Sequence, residues 1–206
     1  TKRFSLSPTF VVTPAIRAQL VALGVAGAGD FTNVNFFTND FDTRTRGLDF
    51  VLSYNHPVGP GRLNATAAYS FTDTKVISGS LTSANSVTQR TIFENGLPRH
   101  NATGTITYDI GKLTLLARSR YYGAWTDSSG NATGDIFQRF GGLAFFDASV
   151  SYAVNQRVAV RIGAENIFNT YPDKALFQAS RGLVYSRNSP YDTNGGNYYA
   201  RLEFKY

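Results

Sequence analysis

Polar and apolar side chains alternate one for one over several stretches of this chain, most plainly over the last ten residues. From Asn197 to Tyr206, the residues Tyr198, Ala200, Leu202, Phe204 and Tyr206 fall on one side; Asn197, Tyr199, Arg201, Glu203 and Lys205 fall on the other. A period of two sends successive side chains to opposite faces of a sheet, so the segment predicts a strand with one greasy and one wet face. The same pattern recurs upstream. Over 157–166, Val158, Val160, Ile162 and Ala164 oppose Arg157, Arg161 and Glu165; over 146–154, Phe146, Ala148, Val150, Tyr152 and Val154 oppose Asp147, Ser149 and Ser151. Over 113–125, Leu113, Leu115, Ala117, Tyr121 and Trp125 oppose Thr114, Arg118, Arg120 and Tyr122. Further strands are predicted at 101–110 (Ala102, Ile106, Tyr108, Ile110), 63–72 (Leu63, Ala65, Ala67, Tyr69, Phe71) and 47–55 (Leu48, Phe50, Leu52, Tyr54). An eighth, at 2–7, carries Phe4 and Leu6.

The connections alternate too. Short ones, rich in Gly, Pro and Asn, fall at 55–62, at Gly111-Lys112 and at Asn155-Gln156, where such residues make tight hairpin turns. His56 lies in the first of these. Gly111-Lys112 predicts a two-residue turn with Ile110 opposite Leu113. Long links run over 8–42, 73–97, 126–143 and 167–196. Thr13 to Leu20 reads as a helical turn with Thr13 as N-cap and Pro14 at the first position, ending at Gly24. Short turns at one end and long loops at the other are the layout of an outer-membrane barrel.

Composition strengthens that reading. Charged residues are only 17% against roughly 25% in soluble domains, while aromatics reach 14% with 16 Phe and 12 Tyr. The wet rows hold mainly Thr, Ser and Asn, whereas a solvent-facing soluble sheet is richer in Lys and Glu. Tyr54, Tyr69, Phe71, Tyr108, Tyr121, Trp125, Phe146, Tyr152, Tyr198 and Tyr206 sit towards strand ends, where interfacial girdles form. A soluble sandwich or lipocalin-like barrel shares the alternation but neither of these features. The fold class is therefore all-β, a transmembrane antiparallel barrel wall of about eight strands. The lipid face is expected to comprise Leu48, Phe50, Leu52, Leu63, Ala65, Ala67, Leu113, Leu115, Val150, Val158, Val160, Ile162, Leu202 and Phe204.

The formal charge of +6 comes from basic residues scattered along the chain, without the Lys/Arg run of a nucleic-acid patch. No catalytic, cofactor or metal set is legible. There is no Cys, and the two His, His56 and His100, do not assemble with an acid and a nucleophile into a triad. Gly24 to Asp30 lacks the flanking strand and helix of a dinucleotide loop and is expected to be a flexible loop. The inward charges Arg118, Arg120, Arg157, Arg161, Arg201, Asp147, Glu165 and Glu203 either pair with one another or meet a passing anionic ligand. Candidate ligand contacts are Arg118, Arg120, Tyr122 and Arg161 on the wall, and Tyr171, Phe177, Arg181, Tyr185, Arg187 and Tyr191 in the last long link. That link is expected to be the longest and most mobile element on the loop side.

Gly163-Ala164-Glu165-Asn166-Ile167-Phe168-Asn169, followed by Tyr171-Pro172, resembles the element before the last strand of TonB-dependent outer-membrane receptors. The ending Leu202-Glu203-Phe204-Lys205-Tyr206 is similar to the outer-membrane assembly signal, with Tyr where the family usually has Phe. Phe36 to Asn39 with Asp42 to Asp49 resembles a strand entry of the same receptors. The resemblance covers nearly the whole chain. It implies a barrel of 22 strands around a plug, with residues 1–206 supplying the C-terminal part of the wall, the plug domain being absent from this chain. It implies partners: the rest of the receptor, TonB through a segment not in this chain, and the lipid and lipopolysaccharide of a Gram-negative outer membrane. Thr1 is then a processed end or a cut inside a larger product. The implied function is TonB-dependent uptake of a siderophore, cobalamin or saccharide. A self-contained eight-stranded structural or adhesion barrel is the alternative. Leu202, Phe204 and Tyr206 are implied to be read by the assembly machinery.

Overall fold

The computed structural model describes residues 2–6, 9–35, 37–79, 86–128, 136–176 and 182–204. Eight strands form one antiparallel meander: β1 (Lys2–Leu6), β4 (Phe37–Val58), β5 (Gly61–Gly79), β6 (His100–Ile110), β7 (Leu113–Tyr122), β10 (Leu143–Ala153), β11 (Val158–Glu165) and β12 (Asn197–Phe204), hydrogen-bonded in that order. Two small hairpins stand apart, β2 (Phe10–Val11) with β3 (Asn33–Val34), and β8 (Trp125–Ser128) with β9 (Phe137–Phe140). Helices α1 (Pro14–Ala22) and α2 (Ser86–Asn95) lie in the first two long links. Among the described residues β1 and β12 are not paired, so the sheet is open at both edges. No described helix is long and apolar enough to cross a membrane.

The register shows that the period of two is kept across the sheet. Opposite partners in an antiparallel pair share a face. Leu52 faces Ala67, Ala65 faces Ile106, Ile106 faces Ala117, Ala117 faces Ala148, Ala148 faces Ala164 and Ala164 faces Tyr198. One apolar face therefore runs unbroken from β4 to β12. On the reverse, Thr66 faces Thr105, Thr105 faces Arg118, Arg118 faces Asp147, Ser151 faces Arg161 and Arg161 faces Arg201. The apolar face is not tucked into a core. Leu48 is 63% exposed, Ile162 65% and Phe204 64%, so the face awaits another apolar medium.

An arginine at Ile162, in the body of that face, is expected to cost up to about 4 kcal/mol, and Val160→Arg, nearer the turns, about 2. Equilibrium unfolding of the protein in lipid vesicles checks both. A cost equal to that of Ser53→Arg on the polar face would contradict the assignment.

The first turn is tighter, and the two strands it joins are longer, than the sequence predicts. Gly111, at φ 56, makes the expected two-residue turn, and Ile110 pairs with Leu113. Lys112 Nζ donates to the Val154 carbonyl at 3.0 Å, tying this turn to the next, where Asn155 Oδ1 accepts from the Val158 amide at 2.9 Å. The first turn is only Gly59-Pro60. His56 is thus in strand β4 opposite Leu63 and stacked on Tyr54, not in a loop. β4 spans 22 residues and β5 spans 19, against 8 to 11 in β6, β7, β10, β11 and β12. A tilted strand needs roughly 9–11 residues to cross hydrocarbon. The excess, above Leu48 and Phe71, projects beyond the apolar band, with β1 paired along β4 from Phe37 to Asp42. The face of Phe41 and Thr43 is buried there, the Phe41 ring lying 4.8 Å from Phe93 of α2, while the other face carries Arg44 and Arg46; with polar residues on both sides the alternation fades, which hides the extension from a periodicity argument.

Other elements differ too. β7 ends at Tyr122, just before Gly123, whose amide still donates to the His100 carbonyl of β6 at 2.7 Å. Trp125 therefore leaves the wall and is 3% exposed inside the loop cluster, so it is not a girdle residue. Tyr54, Tyr69, Tyr121, Phe146, Tyr152 and Tyr198 do stand exposed on the apolar face. Helix α1 begins as expected, Thr13 Oγ1 accepting from the Ile16 amide and proline at the helix start. The stretch after it is built of turns on Gly24 and Gly27, both at positive φ, with Ala28 fully buried, in place of a flexible loop. Helix α2 has no counterpart in the sequence reading. Phe4 and Leu6 of β1 have side chains outside the described set, as does the whole of Tyr206.

Candidate functional site

The chemistry of the polar face converges on Asp147, whose side chain is 4% exposed. Its Oδ2 accepts from Arg118 Nε at 2.7 Å and Arg120 Nε at 3.0 Å. Its Oδ1 accepts from Arg120 Nη2 at 2.9 Å and from the Asn166 amide at 2.9 Å. Four donors saturate the carboxylate, and the side-on grip by Arg120 is the bidentate geometry that arginine favours. Register explains the meeting, since Asp147 lies directly opposite Arg118 and two residues from Phe145, the partner of Arg120. The Arg120 guanidinium also sits 5.5 Å from the centre of the Phe145 ring. Glu165 lies 4.0 Å from Arg118, and Arg161 pairs with Glu203 at 3.5 Å. Arg201 stands directly opposite Arg161, so two like charges meet on the wall. A cavity of about 510 Å³ opens over this surface, lined by Arg118, Asp147, Arg161, Glu165, Tyr199 and Arg201 among others.

Asn166 joins the wall to the last long link. Its backbone is left-handed, φ 49, as is that of Asn169, φ 52, a conformation that asparagine tolerates better than other side chains. Asn166 Nδ2 donates to the Thr170 carbonyl at 2.8 Å and its Oδ1 accepts the Thr170 amide at 2.9 Å, closing a compact turn. Asn169 Oδ1 accepts the Gly196 amide at 2.9 Å, so the two ends of the link meet. Gly195, at φ 75, leaves the room that Tyr171 takes; a Cβ there would lie 2.3 Å from the Tyr171 hydroxyl. The Asn-Ile-Phe-Asn run thus builds a clamp at the mouth of the sheet. A second cavity, about 300 Å³, lies against it between Arg120, Phe145, Asn166 and Asp192.

Above the clamp the link folds back on β8 and β9. Trp125 stacks on Phe140 with centroids 4.6 Å apart, and its Nε1 donates to the Tyr191 hydroxyl at 3.1 Å. Tyr122 and Phe145 complete the cluster with rings 5.3 and 5.8 Å from Tyr191. Burial pushes the Tyr191 phenol above its ordinary value, with the Trp125 hydrogen bond opposing and the charge of Asp173 adding. Gln138 binds the backbone on both sides of Ala175, donating to the Lys174 carbonyl and accepting the Leu176 amide. Asp127, 3% exposed, accepts from Ser186 and Asn188.

The residues singled out in the sequence therefore fall into distinct places. Arg118 and Arg120 come together on Asp147, and Arg161 lines the same cavity. Arg157 lies in the turn at the opposite end of the sheet and does not share that surface. Tyr122 and Tyr191 have their rings in the packed cluster, while Tyr171 and Tyr185 stack on each other at 6.0 Å near the clamp. Arg187 is exposed. Phe177 and Arg181 lie outside the described residues. The link expected to be the most mobile is, over its described residues, bonded to β8–β9 and to the wall. Sequence reasoning missed Asp147 as the hub and Asn166 and Asn169 as the clamp. The paired asparagines, each able to take the left-handed turn, were the available signal.

An antiparallel wall with one apolar face, long links at one end and tight turns at the other is matched by the family model described as TonB dependent receptor-like, beta-barrel, over residues 15–167. The chain belongs to this family. Members are transporters and receptors of the Gram-negative outer membrane and not enzymes. No curated protein sequence matches the chain. Among solved structures, it resembles the FrpB iron transporter from Neisseria meningitidis with a TM-score of 0.59 and 15% identity, over 88% of this chain and 26% of that one. It also resembles the ferric-catecholate import receptor Fiu from K12 E. coli (TM-score 0.57, 16% identity, 82% of this chain, 22% of that one). The siderophore receptor PiuA from Acinetobacter baumannii gives a TM-score of 0.56 at 19% identity, over 82% of this chain and 23% of that one. At these identities the likeness is one of fold. The chain spans about a quarter of the length of the receptors it matches.

Proposed function

We propose that residues 1–206 form the C-terminal part of the wall of an outer-membrane receptor that takes up an anionic metal chelate of the siderophore class. The observation that supports this most is the arginine-rich polar wall beneath a clamped loop. Arg118, Arg120, Arg161 and Arg201 gather on it beside Asp147, Glu165 and Glu203. Several guanidinium groups brought together in a confined, low-dielectric space can hold an anion in transit. The solved neighbours named for iron and siderophore uptake point the same way. Strands from the rest of the receptor complete the edges at β1 and β12, because unpaired strand edges are not tolerated in lipid. The plug and the TonB-engaging segment are assigned to the rest of the receptor.

The test uses the full-length receptor returned to a deletion strain, with uptake of radiolabelled ferric siderophores, cobalamin and oligosaccharides measured with and without TonB. Uptake of a ferric chelate that requires both receptor and TonB is expected. Uptake of cobalamin or sugar alone would replace the substrate class, and uptake independent of TonB would overturn the mechanism.

Assembly is assigned to the last strand. Leu202 and Phe204 stand 55% and 64% exposed on the apolar face, and Tyr206 continues their row in sequence. Tyr206→Phe is expected to leave the folded receptor at its normal level, and Tyr206→Asp to lower it several-fold, measured as heat-modifiable protein in outer-membrane fractions. Normal levels of folded Tyr206→Asp receptor with lost uptake would make Tyr206 a transport residue.

A further inference from the structure

The last strand of the wall sits in a register that its charges oppose. On the polar face of β11 and β12, Ala159 lies opposite Glu203, Arg161 opposite Arg201, Gly163 opposite Tyr199 and Glu165 opposite Asn197. Like charges directly opposite one another across two strands are unfavourable. Arg161 leans along the strand to reach Glu203 at 3.5 Å, and Arg201 has no ion pair among the described residues. Sliding β12 by two residues would set Arg161 directly opposite Glu203 and part the two arginines. The apolar face would not resist, since Val160 would meet Phe204, Ile162 would meet Leu202 and Ala164 would meet Ala200. A slip by one residue turns every side chain over and is forbidden by polarity, whereas a slip by two keeps each on its own side. Nor does a tight turn set the pairing, because β11 and β12 are joined by the last long link. Alternation alone leaves the register of β12 open, and charge favours the other one.

What opposes the slip is the fit of a ring to a glycine. Gly163 is buried between Ser149 of β10 and Tyr199 of β12, its partners on either side. A Cβ at this position would lie 2.5 Å from the Tyr199 hydroxyl oxygen, 2.6 Å from its Cζ and 2.8 Å from Ser149 Cβ. The Tyr199 ring therefore lies across β11 in the space that a side chain would fill, and Ser149 closes the far side. Glycine inside a strand allows this kind of close approach. After a slip of two residues the ring would face Glu165, whose own side chain takes that space. The other tie to this strand, Asn169 Oδ1 to the Gly196 amide at 2.9 Å, is a single hydrogen bond from the link.

We propose that Tyr199 is a positioning residue: lodged on Gly163, it locks β12 in the register that stands Arg161 beside Arg201. The lock keeps the Arg201 guanidinium without an acid on the wall of the cavity of about 510 Å³, where it meets an oxyanion of the cargo. A local rule broken at a cost, with a compensating fit beside it, is the pattern of a site kept for function. The lock follows from the wall alone, whereas the part given to the cargo rests on the uptake reading above.

This chain has no cysteine, so cysteine pairs placed in it read the register within the full-length receptor, any cysteine elsewhere being replaced by serine. Val160→Cys with Leu202→Cys reports the observed register, and Val160→Cys with Phe204→Cys the slipped one. The first disulfide is expected to dominate in the otherwise unmodified receptor and equally in Tyr199→Phe, which keeps the ring. Gly163→Ala and Tyr199→Ala are each expected to shift the ratio about tenfold towards the second, the scale of exchanging a like-charged for an oppositely charged cross-strand pair. Adding Arg201→Glu to either should restore the first, because the observed register then sets Arg161 opposite an acid. Asn169→Ala, which loosens the link and spares the lodging, should leave the ratio unchanged. Arg201→Gln should keep the first disulfide and slow uptake of the ferric siderophores in the assay above by about tenfold, the scale of one lost charge-assisted contact. An unchanged ratio in Tyr199→Ala would overturn the lock even if Gly163→Ala fails to assemble. An equal shift in Asn169→Ala would also overturn it and give the register to the link. Undiminished ferric siderophore uptake by Arg201→Gln would overturn the part given to the cargo. If the unmodified receptor takes up no ferric siderophore, the uptake reading fails while the disulfides still decide the lock.

Discussion

Replacing Asp147 by Ala in the full-length receptor is expected to lower its stability by about 3 kcal/mol. The carboxylate holds two guanidinium groups and the Asn166 amide through four hydrogen bonds, and its removal leaves both arginines confined without their partner. The figure is at the low end for a broken buried pair because Arg118 and Arg120 remain 38% and 27% exposed and water screens them in part. Asp147→Asn keeps an oxygen acceptor and is expected to lose less. The midpoint of denaturant unfolding, followed by the shift of the heat-modifiable band, reads the difference. A further variant, Asp147→Ala with Arg118→Met and Arg120→Met, should recover part of the loss, because no unpaired charge is left behind. An unchanged midpoint in Asp147→Ala would mean that the hub is not a structural element of the wall.

Excising residues 171–194 is expected to reduce uptake by about tenfold or more, the scale of losing one aromatic anchor worth about 2 kcal/mol, while leaving the barrel assembled. The expectation rests on how the link is built. Its ends already meet, through the bond of Asn169 Oδ1 to the Gly196 amide at 2.9 Å, so joining Thr170 to Gly195 strains neither β11 nor β12. Their pairing from Val158–Phe204 to Glu165–Asn197 is untouched. What is lost is the stacked Tyr171–Tyr185 pair, Arg187, and the Tyr191 ring that covers Trp125, Phe140 and Phe145. Uptake assays in whole cells, beside heat-modifiability, separate transport from assembly. Undiminished uptake would remove this link from the binding site.

The wall was legible in the sequence because membrane and lumen impose opposite polarity on neighbouring residues. Leu48, Phe50 and Leu52 against Asp49 and Ser53 reveal a strand without any partner being known. Where that contrast stops, the reading stopped. Residues from Phe37 to Gly47 continue β4, yet Arg44 and Arg46 break the apolar row, and the face of Phe41 and Thr43 is buried, with Phe41 against α2. Trp125 shows the reverse error. It keeps the phase of Leu113 and Tyr121, but the chain leaves the sheet at Gly123 and carries the ring into the loop cluster. The candidate site was legible as a set of residue types and not as an arrangement. Arg118 and Arg120 were visible as inward charges, whereas their shared partner depends on the register of β7 against β10, which no local pattern contains. The cluster of Trp125, Phe140, Phe145 and Tyr191 is assembled from four separate segments, and its members carry no common periodicity.

The account turns on which face of the sheet meets lipid. The chain has no cysteine, so single cysteines can be placed in turn at Leu48, Asp49, Phe50, Val51, Leu52 and Ser53 and spin-labelled in the reconstituted receptor. Accessibility to dissolved oxygen, which concentrates in hydrocarbon, and to a water-soluble nickel complex is then measured at each site. The account predicts a period of two, with oxygen favoured at positions 48, 50 and 52 and the nickel complex at 49, 51 and 53. The opposite phase, or equal accessibility at all six positions, would contradict it.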